Sequence, residues 1–84
     1  MNNQDLAYHV LDALRKNIQE IEDDKKRELL TFTIDMLKGE YLLSEHDMML
    51  HLDKLQQELG ITEHQRHVIE LAYKDVMQEI REMI

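Results

Sequence analysis

Five histidines, eighteen carboxylates and no cysteine make up the chemically active side chains of this 84-residue sequence. His64 and His67 stand one helical turn apart, His46 and His51 precede them, and Glu63 or Asp47 could add an oxygen ligand. Metal binding by imidazole is therefore the first chemistry to weigh. A zinc site normally draws three or four convergent ligands, and a histidine pair without thiolates falls short of that. The expectation is solvent-facing or half-buried histidines and no metal. Ser44 and Thr62 could act as nucleophiles only beside an activating base, and each stands where a helix start needs a hydroxyl cap. There is no glycine-rich phosphate loop, and acid pairs such as Asp23 and Asp24 sit inside a charged run. A domain this small also has little room for an enzyme pocket, commonly about 300 Å3 or more. No catalytic residue, no cofactor and no enzyme activity is expected, which leaves binding.

The chain's composition limits what it can bind. Acidic residues number 18 against 10 basic ones, for a net charge of −8, a field that repels nucleic acid and anionic membrane and favours basic partners. The first 24 residues carry a net −4, and the Lys25, Lys26, Arg27 cluster is the one basic knot. With 43% hydrophobic residues, no proline and two glycines, long stretches are free to be helical. Without cysteine there is neither a disulfide framework nor a thiolate metal site, which suits a reducing cytosol. Met1 to Asp5 lacks the basic segment and apolar run of a signal peptide, and no window approaches the roughly 18 apolar residues of a membrane span. A cytoplasmic protein is expected.

The elements that must position any site follow from apolar spacing. Leu6, Ala7, Val10, Leu11, Leu14, Ile18 and Ile21 recur at three and four residues, predicting a helix over about 3–22 capped by Asn2 or Asn3. The run Glu22 to Lys26 interrupts that stripe, with Asp23 or Asp24 as the next cap, and a second helix over about 25–38 stops at Gly39. Thr31 to Met36 also alternates as a strand would, but a lone strand has nothing to pair with. Ser44 with Asp47 opens a third helix over about 45–59 that ends at Gly60, with Ile61 placed for the accompanying apolar contact. Thr62 with Gln65 forms a full capping box for a fourth helix over about 63–84. Leu43-Ser44-Glu45-His46 and Ile61-Thr62-Glu63-His64 look alike, and shared capping chemistry explains the likeness. The reading is one all-α domain, residues 1–84, a small four-helix bundle of antiparallel helices joined by short connections.

Helix three, the turn Gly60-Ile61-Thr62 and helix four have the layout of a helix-turn-helix, whose reading residues would be Thr62, His64, Gln65 and Arg66. Two positions depart from that pattern. Arg66 stands where the second helix normally buries an apolar residue, and Gln56 where a small residue lets the helices approach. The thirteen residues from Ile61 through Thr62, Glu63, His64, Gln65, Arg66, His67, Val68, Ile69, Glu70 and Leu71 to Ala72 and Tyr73 are similar to the opening helix of sigma-factor region 4. In that family a helix-turn-helix follows, whereas eleven residues follow Tyr73 here, so the resemblance brings no function to this chain.

Association remains. Val76, Met77, Ile80, Met83 and Ile84 keep the final turns apolar, where a free helix end would normally turn polar, and they are the expected dimer or partner interface. Six methionines add adaptable apolar surface. The expected function is a small acidic regulatory or adaptor protein that forms a homodimer. It would bind another protein through an apolar groove with an acidic rim, antagonising a DNA-binding or other basic partner. The alternative is a small helix-turn-helix transcriptional regulator.

Overall fold

The pauses in apolar periodicity become the helix boundaries of the computed structural model, which describes residues 2–19 and 24–83. Its helices are α1 (Asn3–Gln19), α2 (Asp24–Leu37), α3 (Glu45–Leu59) and α4 (Glu63–Met83), and no strand occurs among the described residues. The expected bounds agree within a residue or two; the end of the first helix beyond residue 19 and the cap at Asp23 fall outside the described residues. Thr31 to Met36 is helical.

Each start and stop has a physical cause. Asn2 Oδ1 accepts from the Asp5 backbone N–H at 2.8 Å, and Ser44 Oγ accepts from Asp47 N at 3.1 Å. Thr62 and Gln65 cap reciprocally: Thr62 Oγ1 accepts from Gln65 N at 3.0 Å, and Gln65 Oε1 accepts from Thr62 N at 2.9 Å. At the other ends, Gly39 (φ 81°) and Gly60 (φ 66°) adopt the left-handed conformation. Glu40 N donates to Asp35 O and Gly39 N to Met36 O, the paired bonds of a Schellman stop, whereas Gly60 makes the single bond to Gln56 O. Ile61, just past that glycine, is buried.

The helices pack in the manner of a bundle around one core. Asn3 Nδ2 donates to Asp75 at 3.2 Å and Gln4 Nε2 to Glu79 at 3.4 Å, so α1 starts beside the last turns of α4 and runs back along it. Their closeness suits the fully buried alanines Ala7 and Ala72, which leave room for two backbones to approach. Lys25 on α2 meets Glu58 on α3 while Thr33 meets His51, a falling register that makes these two helices antiparallel. Leu11, Met36, Met48, Leu52, Leu55 and Ile69 fill the centre with almost no exposure. Burying a side chain of this size stabilises by about 1.5–3 kcal/mol relative to exposure.

The two stop glycines differ in their surroundings. A Cβ on Gly39 would lie 3.2 Å from Ile80 Cδ1 and 3.6 Å from Val76 Cγ1, whereas one on Gly60 meets nothing within 4 Å. Gly60→Ala should cost about 1 kcal/mol, the strain of a left-handed alanine. Gly39→Ala should cost more, because Ile80 must also move. Urea unfolding of both variants gives the order, and equal costs would mean that the Ile80 side chain yields freely.

Candidate interaction surface

The expected interface at the end of α4 divides into inward and outward parts. Val76 is buried and Ile80 half-buried, both close to Gly39. Met77 is half-buried and lines a groove of about 300 Å3 with Leu43, Met48, Tyr73, Lys74 and Arg81. Met83 alone projects into solvent, 86% exposed, and Ile84 lies outside the described residues.

A different stretch gathers the exposed apolar surface. Among the described residues six large hydrophobics are exposed, and four of them, Tyr41, Leu42, Met49 and Leu50, fall within ten positions of the α2–α3 linker and the first turns of α3. Along the chain, residues 39–53 contain Glu40, Glu45, Asp47 and Asp53 and neither Lys nor Arg, although Lys74 and Arg81 of α4 line the groove beside Glu45 and Arg66 pairs with Asp53. Leu42 is 66% exposed.

The linker is held in this form from beneath. The buried Tyr73 hydroxyl accepts from the Leu43 backbone N–H at 2.7 Å and lies 3.2 Å from the carbonyl of Tyr41, to which it can donate its own proton. Leu43 turns inward beside Met48, an apolar pair across the Ser44 cap that has the spacing of a hydrophobic staple. Leu42 is thereby left outward. Tyr41 stacks on Phe32 of α2, ring centroids 4.6 Å apart and 20° from parallel, and Phe32 in turn meets the His51 ring at 4.9 Å.

Phe32 and His51 floor a groove of about 560 Å3 between α2 and α3, with Leu29 beside them and the Lys25–Glu58 ion pair crossing it at 3.5 Å. His51 is 8% exposed. Its Nε2 lies 2.7 Å from Thr33 Oγ1, and Thr33 Oγ1 also lies 2.7 Å from Leu29 O. The threonine has one hydroxyl proton; donated to Leu29 O, it leaves Oγ1 to accept from a neutral His51 protonated at Nε2. Burial, with repulsion from Lys54 added, lowers the His51 pKa to about 4.

The helix-turn-helix residues are bound up in structure. Thr62 and Gln65 form the reciprocal cap, and Arg66, its side chain 15% exposed, donates through Nη1 to Asp53 and to Gln56 at 2.6 Å each. Gln56 also donates to Glu63 at 3.1 Å. The two departures from the motif are thus bonded to each other. His64 remains exposed, beside Glu63. Among the described residues no three of His, Cys, Asp and Glu converge as a metal site would need.

Tyr41, Leu42, Met49 and Leu50 lie outside the interface expected from the sequence, at the end of the fourth helix. The available signal was phase: Met48, Leu52, Leu55 and Leu59 make a complete stripe at three- and four-residue spacing, and Met49 and Leu50 stand off it. No family model, curated protein or solved structure matches this chain.

Neutral His51 has a pH signature. Its folded pKa of about 4 lies below the ordinary 6.5, so the unfolded chain binds more protons between those values. Its contribution is whole above pH 6.5 and falls as pH drops toward 4, by at most about 3 kcal/mol. His51→Gln keeps a donor for Thr33 and should flatten the stability curve between pH 6.5 and 4, measured by denaturant unfolding. Parallel curves for the two proteins would remove His51 as the cause.

Proposed function

We propose that this chain is a small acidic adaptor or regulatory protein that works by holding a basic, amphipathic segment of another protein against the Tyr41–Leu50 face. The observation that carries the reading is the coincidence of four exposed apolar side chains with Glu40, Glu45 and Asp47 in one short stretch that contains neither Lys nor Arg. Large apolar side chains left exposed within one short stretch of a small chain favour a contact surface there. The acidic residues of the stretch favour a partner of opposite charge and speed the encounter. Tyr41, Met49 and the two leucines provide the aromatic and adaptable apolar contacts that interfaces favour.

A DNA-binding protein is the natural basic target, since its phosphate-facing surface carries the required cations, and covering that surface would antagonise it. The same electrostatics speak against the chain itself reading DNA: Arg66 is tied to Asp53, and Glu58, Asp53 and Glu63 surround the turn. The reading gives the chain a binding role, with no reaction to catalyse and no cofactor. Among the described residues no helix is long and apolar enough to cross a membrane, and a cytoplasmic location is part of the proposal.

Leu42→Asp with Leu50→Asp replaces exposed apolar groups and should leave the circular dichroism spectrum unchanged while abolishing capture of a basic protein from lysate. Met83→Asp, at the end of α4, should still capture it. Equal capture by all three proteins would overturn the assignment of the face, and loss in Met83→Asp alone would move the interface to the end of α4. A mobility shift with mixed DNA at micromolar protein would favour the helix-turn-helix alternative.

A further inference from the structure

Around α2 from Phe32 and Tyr41, across the ridge of Arg27, Thr31 and Asp35, lies a groove of opposite sign. Leu30 and Ile34, one turn apart, floor a groove of about 390 Å3 against α1, lined also by Arg15, Arg27, Lys38 and Asp35. Three of the chain's ten Lys and Arg residues therefore line one concavity with a single acid, in a protein whose net charge is −8. Among the described residues neither Arg15 nor Lys38 has a counter-ion, and Arg27 reaches the exposed Asp24 at 4.0 Å. An apolar floor framed by uncommitted cations fits an apolar segment framed by carboxylates.

That counterpart is present on the same molecule. The Tyr41–Leu50 face offers exposed apolar side chains among Glu40, Glu45 and Asp47. It cannot fill the groove of its own chain. Tyr41 is stacked on Phe32, and the ridge of Arg27, Thr31 and Asp35 stands between the Phe32–Tyr41 side and the Leu30–Ile34 groove, so face and groove are fixed neighbours on one rigid element. We propose that the occupant of the α1–α2 groove is the Tyr41–Leu50 face of a second copy of this chain. The proposal rests on the reading of that face as a docking surface.

The net charge does not forbid the contact. At physiological salt the screening length is about 8 Å, well below the 21 to 41 Å dimensions of the molecule. Charges on the far sides are screened, and the facing ones decide. Two copies can make the contact twice, each face in the other's groove, which is the arrangement a two-fold axis requires. Self-association would then cover the surface that holds a basic partner, so a second copy and the partner compete for it.

Light scattering on the full chain tests this with two exposed-site variants: Arg15→Glu with Lys38→Glu in the groove, and Leu42→Asp with Leu50→Asp in the face. The wild-type mass should rise from 10.1 kDa toward twice that value with concentration. The association should weaken on the order of tenfold at about 0.5 M salt, where facing charges are screened. Each variant alone should keep its helical spectrum and stay monomeric, and an equimolar mixture should associate, because one supplies an intact groove and the other an intact face. Arg15→Gln with Lys38→Gln serves as a milder groove variant should the reversal disturb folding. A wild-type chain that stays monomeric at about millimolar concentration, or a mixture of folded variants that does not associate, overturns the proposal. The groove variant should still capture a basic protein from lysate, so failure of self-association and failure of the face as a docking surface are read separately.

Discussion

The fold's most consequential single polar interaction is the buried Tyr73 hydroxyl beneath the α2–α3 linker. Residues 40–44 have no helix or sheet to satisfy their backbone, and an unpaired buried peptide group would cost about 1–3 kcal/mol. One phenol accepts from Leu43 N and faces the Tyr41 carbonyl, from a helix that is itself anchored along α1. With the backbone fastened there, Leu43 must turn toward Met48 and Leu42 away from it. The outward apolar surface is a consequence of the inward hydrogen bond, so the core and the candidate site share one cause.

Two buried polar residues, Thr33 and His51, show how the core tolerates them. Thr33 closes a local bond to the preceding turn and still accepts from the imidazole, and among the described residues no buried side-chain polar atom lacks a partner. The histidine is held neutral by its surroundings. Its ring, with Phe32, lines the groove between α2 and α3.

Much of the fold was legible because it is written locally. Asn2, Ser44 and Thr62 cap, Gly39 and Gly60 stop, and the apolar stripes between them have helical period; each signal acts within a few residues of itself. At Ser44 the serine accepts from Asp47 N, while the short Asp47 side chain cannot reach back as Gln65 does. The candidate surface was less legible for the opposite reason. Whether Leu42 or Leu43 turns inward depends on Tyr73, thirty residues later, and whether Val76 and Ile80 are free depends on a backbone turn at Gly39. An apolar residue at a helix end reads the same in sequence whether its neighbour is solvent or a distant glycine.

The α3–α4 corner has a consequence for how this chain can drift through sequence space. Gln56 and Arg66 each break a pattern that favours small and apolar residues, and each is the other's hydrogen-bond partner at 2.6 Å. Replacing either alone strands a polar group in a half-buried place, whereas replacing both with apolar groups of suitable shape can be nearly neutral. A conventional apolar corner is therefore separated from this one by a paired change, with a less stable intermediate between them. The two positions should covary, and a lineage that crosses between the two solutions does so in a jump.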